Sequence, residues 1–174
     1  MYKRQSIYSA VAEQTRRLER LGIPYTLTPG VPAFSAAAAV LGRELTVPEL
    51  AQSVVLTRMP GRASAMPEDE KLAAFAATGA TLVIHLAIQS IGAIVGELTP
   101  VYGEDCPVCV VVRASWPDER ILRGTLGSIV AQVAADPIER TAIVLVGAAL
   151  AAHDFRESAL YDADYQRRFR GGRT

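Results

Sequence analysis

Four arginines, Arg58, Arg62, Arg113 and Arg120, stand at or just beyond the ends of apolar segments. Open α/β sheets bind ligands in the turns that follow their strands. A guanidinium placed there pairs with a carboxylate through two hydrogen bonds. Any one of these arginines alone reads as solvated loop charge, but several together suit a ligand bearing many carboxylates. The turns concerned are Thr57-Arg58-Met59-Pro60-Gly61-Arg62, Leu86-Ala87-Ile88 and Arg113-Ala114-Ser115-Trp116-Pro117-Asp118. Other chemistries have less to draw on. No G-x-S-x-G, phosphate-cradling G-x-x-x-x-G-K-S/T, H-E-x-x-H or G-x-G-x-x-G occurs. His85 lies inside an apolar run and reads as a core residue, while His153 falls in a polar stretch. Cys106-Pro107-Val108-Cys109 has the C-x-x-C spacing of a redox pair or of half a zinc site. A redox pair opens a helix, however. Here Val110-Val111-Val112 follow, making Cys109 a strand residue with a packed side chain, and zinc would need a second ligand pair. No catalytic side chain can be named from these residues, and no metal is expected.

The chain that must position these turns has 174 residues, of which half are hydrophobic and 6% aromatic. That is enough to bury a core, with the composition of an ordinary α/β protein. Eighteen basic and eighteen acidic side chains cancel, which argues against a nucleic-acid backbone or an anionic membrane as partner. No apolar run approaches the ~20 residues of a transmembrane helix, and no signal peptide precedes the first amphipathic segment. A soluble cytoplasmic protein is expected.

Periodicity predicts a surface helix from Ser9 to Leu21, closed by Gly22, then a short strand from Ile23 to Thr28. An Ala-rich helix runs from Ala33 to Leu41. After Thr46 the pattern becomes regular: strands at Ser53 to Thr57, Thr81 to Ala87, Pro107 to Arg113, Arg120 to Gly124 and Thr141 to Val146. Between them lie helices at Glu68 to Ala77, Ser90 to Leu98 and Leu126 to Ala135. Continuous apolar strands separated by helices mean a sheet covered on both faces. Leu160, Tyr161, Tyr165 and Phe169 line one side of a predicted tail helix. Met1 to Gln5 does not fit the segment it precedes and reads as a non-native scar.

These elements also carry a resemblance. TPGVPAFSAAAAVLGRELTVPELAQSVVLTRMPGRASAMPEDEKLAAFAATGATLVIHLA, VVVRASWPDERILRGTLGSI and RTAIVLVG resemble, in order and spacing, the tetrapyrrole methylase family, which makes siroheme and cobalamin precursors. Within it, LTRMPGRASAMP and SALYDADYQRRFR are similar to the members that methylate precorrin-4. The resemblance covers Ser6 to Arg170. It implies two α/β domains with S-adenosylmethionine in the cleft between them, and a homodimer in the full-length enzyme. On that template 1–5 is the scar, 6–30 a helix-strand remnant of the N-terminal domain and 31–45 an inter-domain linker helix. Residues 46–174 form the C-terminal αβα domain with its tail helix. The family's glycine-rich first loop is absent, and Lys3-Arg4-Gln5 stands where a Gly-Asp should precede Ser6-Ile7-Tyr8.

The resemblance further implies cofactor contacts at Ile7, Pro32, Ala33, Leu86, Ala114 and Ala142. Arg58, Arg62 and Arg113 are the candidates for the acetate and propionate groups of a tetrapyrrole substrate. The implied reaction is methyl transfer to C-11 of precorrin-4 or its cobalt form, with the isolated chain expected to be inactive. Three alternatives stand beside it: a sibling methylating another ring position or uroporphyrinogen III, a non-catalytic remnant of the fold, and a C-x-x-C redox protein.

Overall fold

The computed structural model describes residues 7–60, 66–153 and 155. The expected scar, the tail helix and Arg62 lie outside them. Five strands form one sheet: β1 (Val54–Arg58), β2 (Thr81–His85), β3 (Pro107–Val112), β4 (Arg120–Thr125) and β5 (Ala142–Val146). Their order is β1-β2-β5-β3-β4, with β1 and β2 parallel and every other pair antiparallel. The last strand among the described residues, β5, therefore sits in the middle, where Val108, Val110 and Val112 of β3 face Val146, Val144 and Ala142. A central position with both faces covered explains why β2, β3 and β5 are near-continuous runs of Val, Ile and Leu.

Successive strand residues point to opposite faces, and two apolar clusters divide accordingly. On one face Leu82, Ile84, Val108, Val110, Val144 and Val146 pack against Leu72 and Ala76 of α3 (Leu72–Ala76), Ile94 and Leu98 of α4 (Ile91–Tyr102), and Ile129 of α5 (Ile129–Ala135). On the other, Val83, Val111, Ile143 and Leu145 pack against Ala37 and Leu41 of α2 (Ala33–Leu41). The expected layering of helices on both faces is present, and α2 packs on the sheet as one of its covering layers. Thr81, buried at the start of β2, ties the chain ahead of β1 to the sheet by donating its hydroxyl to the Leu45 carbonyl at 2.8 Å.

Several element limits differ from the sequence reading for local reasons. The helix expected from Glu68 begins only at Leu72, because the Glu70 N–H closes a turn on the Pro67 carbonyl. The one expected from Leu126 begins at Ile129, because the Ser128 hydroxyl accepts the Thr125 N–H at 2.9 Å and sets a turn ahead of it. Helix α4 runs on to Tyr102 with Pro100 inside its last turns. The expected strand from Ile23 to Thr28 is not formed. It follows α1 (Val11–Arg20), which buries none of its residues, and Ile23, Tyr25 and Leu27 alternate along exposed, unladdered backbone.

The two cysteines are free and both buried, with Cys109 a packed strand residue as expected. Cys106 belongs to the α3–α5 side and Cys109 to the α2 side. Three residues apart along extended chain, they face opposite layers and cannot act as a redox pair. Burial pushes the Cys106 thiol up to about 11 from its ordinary value near 9, and raises Cys109 also. A thiol held protonated in the fold stabilises fully below its unfolded value, and that contribution is lost as pH rises from about 9 towards 11. Native protein at pH 8 is expected to take up iodoacetamide orders of magnitude more slowly than denatured protein, measured by mass. Rapid, reversible formation of a Cys106–Cys109 disulfide would refute this.

Candidate functional site

The C-terminal ends of β1, β2 and β3 and the N-terminal end of β5 share one edge of the sheet, as the pairings of Arg58 with His85 and of Val112 with Ala142 require. At this edge the left-handed backbone conformation is held by residues other than glycine, among them Leu86 after β2 (φ 54), Arg113 after β3 (φ 51) and Thr141 before β5 (φ 58). Each such residue costs about 1–2 kcal/mol. Strain concentrated at one end of a sheet marks a place where the main chain is bent for a purpose other than packing. The bends are secured locally: the Arg113 N–H donates to the Thr141 carbonyl at 2.8 Å. Leu86 presents its side chain outward, 76% exposed.

The predicted cofactor residues fall into two groups. Leu86, Ala114 and Ala142 come together at this edge, each at the end of a different strand. Ile7 is brought to the same end, because its neighbour Tyr8 donates a hydrogen bond to the Leu56 carbonyl of β1 at 3.4 Å and packs its ring 5.2 Å from that of His85. Pro32 and Ala33 open α2, with the Pro32 carbonyl accepting the Ser35 and Ala36 N–H groups at 3.1 Å. They belong to the layer above the sheet. Phe34 and Ala38 of that helix share an apolar cluster with Ala114.

The arginines behave less uniformly than their positions in the sequence imply. Arg113 is engaged within its own loop, through an ion pair with Asp118 at 2.9 Å and a stack on Trp116, its guanidinium carbon 4.5 Å from the ring centroid. Arg120 pairs with Asp136. Arg58 donates to the Met59 carbonyl at 3.0 Å beside a depression that also carries Glu68, Glu70 and Glu97. Among the described residues, Arg113 and Arg120 thus have carboxylate partners within the chain.

Reading along the sequence missed the Tyr8–His85 pair. His85 is half-buried at a strand end, and its Nε2 is enclosed without a hydrogen-bond partner, so it is not the satisfied core residue expected. Burial lowers its pKa and favours the neutral ring. The signal that could have found it was the run TLVIHLA itself, in which a lone polar residue ends an apolar strand. His153 contacts Arg43 at 3.1 Å, away from this edge. Among the described residues no group of three metal-ligating side chains forms, and no helix is long and apolar enough to cross a membrane.

Bent main chain at Leu86, Arg113 and Thr141 thus meets the small side chains of Ala114 and Ala142 at one end of the sheet. The chain belongs to the tetrapyrrole (corrin/porphyrin) methylases, whose family model matches residues 6–130. It is 68% identical over 166 residues to a precorrin-4 C(11)-methyltransferase of Sinorhizobium sp., covering 95% of this chain and 66% of that protein. It is 42% identical to a cobalt-precorrin-4 C(11)-methyltransferase of Methanocaldococcus jannaschii, covering 95% and 64%. The crystal structure of a cobalt-precorrin-4 methyltransferase superimposes with a TM-score of 0.80 at 37% identity, over 84% of this chain and 62% of that one. A uroporphyrin-III C-methyltransferase from Thermus thermophilus, solved with S-adenosylhomocysteine, shares the fold at a TM-score of 0.67 and 24% identity. The chain spans just under two thirds of the length of the curated relatives it matches.

Proposed function

We propose that this chain is the larger part of an enzyme that methylates C-11 of precorrin-4, or of its cobalt form, in corrin-ring synthesis. The observation that carries the reading is the 68% identity to an enzyme of that name along nearly the whole chain. The methyl donor is S-adenosylmethionine, whose sulfonium supplies an already activated methyl group. Carbon–sulfur cleavage leaves the electron pair on sulfur as the ring carbon takes the methyl, so the protein has chiefly to align the partners and exclude water. The sheet edge suits such alignment. Leu86, Ala114 and Ala142 offer main chain and small or apolar surface for the cofactor, with Ile7, Pro32 and Ala33 approaching from the segments ahead of β1. Arg58 and Arg62 remain the candidates for substrate carboxylates, while Arg113 is committed to its loop. The remaining third of the enzyme is the N-terminal domain, of which 6–30 is the end, 31–45 the link and 46–174 the C-terminal domain. The complete enzyme works as a cytoplasmic homodimer.

The test is a methylation assay with labelled donor, using the chain joined to the N-terminal third of the Sinorhizobium relative. Label entering precorrin-4 is expected. Label entering only uroporphyrinogen III would leave the family and overturn the choice of substrate. No transfer to either, with donor bound, would mark the chain as a non-catalytic form of the fold.

A further inference from the structure

Trp116, the chain's single tryptophan, sits on the loop joining β3 to β4 at the same edge as Leu86 and Ala142. Its indole remains 55% exposed although the Arg113 guanidinium covers part of it at 4.5 Å. An exposed tryptophan on a loose tip would need no explanation. This loop is instead tightly built. Arg113 pairs with Asp118 at 2.9 Å, the Ser115 N–H donates to the Glu119 carboxylate at 2.6 Å, and turn hydrogen bonds run from Trp116 N–H to Arg113 and from Glu119 N–H to Trp116. Two of its residues, Arg113 and Ser115, hold positive φ. Backbone strain, an ion pair and a carboxylate cap all serve to present a large aromatic surface to the space outside the sheet edge. Exposing it there costs the burial such a ring would otherwise gain.

We infer that Trp116 is a substrate-binding residue whose indole stacks on the conjugated face of the tetrapyrrole and so selects for a large flat ring. The inference rests on the methyltransferase reading and deepens it. An indole braced by a cation offers a rigid, electron-rich plate, and stacking on it is tolerant of the ring's substituents. The carboxylates at the rim of the ligand would be read elsewhere, which agrees with Arg113 being occupied.

Uroporphyrin, a stable tetrapyrrole polycarboxylate, is the probe. Its affinity for this chain joined to the N-terminal third of the Sinorhizobium relative is measured from the porphyrin absorption band, alongside S-adenosylhomocysteine binding by calorimetry, for the wild type, Trp116→Phe and Trp116→Ala. Trp116→Ala is expected to bind uroporphyrin about tenfold more weakly and Trp116→Phe within about threefold of wild type. Neither change should move S-adenosylhomocysteine affinity or the melting midpoint. Uroporphyrin, but not S-adenosylhomocysteine, should protect the indole emission from acrylamide. Uroporphyrin binding that is absent, or indifferent to Trp116→Ala, overturns the inference, as does an indole already shielded from acrylamide without ligand. If S-adenosylhomocysteine still binds in those cases, only the stacking role falls; if it does not, the methyltransferase reading falls with it.

Discussion

Joined to the N-terminal third of a full-length relative, this chain is expected to bind S-adenosylhomocysteine about a thousandfold more tightly than the 174 residues alone. The site edge as it stands is one-sided. Leu86 projects outward with three quarters of its surface exposed, and Leu21, Ile23, Tyr25, Leu27 and Val31 lie exposed along the segment ahead of α2. A ligand held on one side keeps most of its own surface in water and finds only part of its polar partners. Losing a binding subsite removes on the order of 4 kcal/mol, and each 1.4 kcal/mol is about tenfold, so a micromolar site falls to roughly millimolar. Titration calorimetry on both proteins measures the difference directly. Equal affinities would show that the strand ends alone hold the cofactor and that the exposed surface serves something else.

The second large effect concerns the opposite end of β5. Gly147→Val is expected to lower the unfolding free energy by roughly 3 kcal/mol, read from the denaturant midpoint at unchanged slope. Gly147 has φ 145 and ψ 160, a region open essentially to glycine alone. Its N–H donates to the Pro107 carbonyl at 3.0 Å, so the chain cannot swing away without releasing β3. A β-carbon there would stand 3.2 Å from the Thr81 Cα and 3.4 Å from its hydroxyl, the group that anchors Leu45. Gly92 provides the contrast. It lies exposed in α4 with open space beside it, so Gly92→Ala should stabilise by about 0.5–1 kcal/mol through helix propensity. A neutral Gly147→Val would mean that the end of β5 relaxes more freely than its contacts imply.

The core was legible because burial on both faces writes itself into a sequence: LVIH, VCVVV and AIVLV each read as covered strands, and each is one. Strand order was not legible, since nothing in AIVLV tells it to insert between β2 and β3. Ile23 to Thr28 shows the reverse limit. Its alternation is that of a strand, but a strand needs a neighbour to complete its hydrogen bonds, and no described segment supplies one. At the candidate site, strand ends alone placed the turns at one end of the sheet, while the contacts of each side chain were not legible. Arg113 reads as a free cation until Trp116 and Asp118, just ahead in the chain, are seen folded back against it. His85 reads as packed until its Nε2 is found enclosed without a partner.

The central place of β5 has a consequence for how the protein is made. Synthesis delivers β1 and β2 as one parallel pair and β3 and β4 as an antiparallel hairpin, and neither pair bonds the other in the finished sheet. Their inner edges stay unsatisfied until residues 142–146 leave the ribosome and slide between them. At about 5–20 residues per second, the stretch from the end of β2 to the start of β5 takes seconds to emerge, all of that time with open edges. Those edges are the apolar runs of β2 and β3, and open apolar edges invite pairing between chains. The nascent protein is therefore most vulnerable to association just before β5 arrives, and a stop placed within 136–141 would strand it in that state.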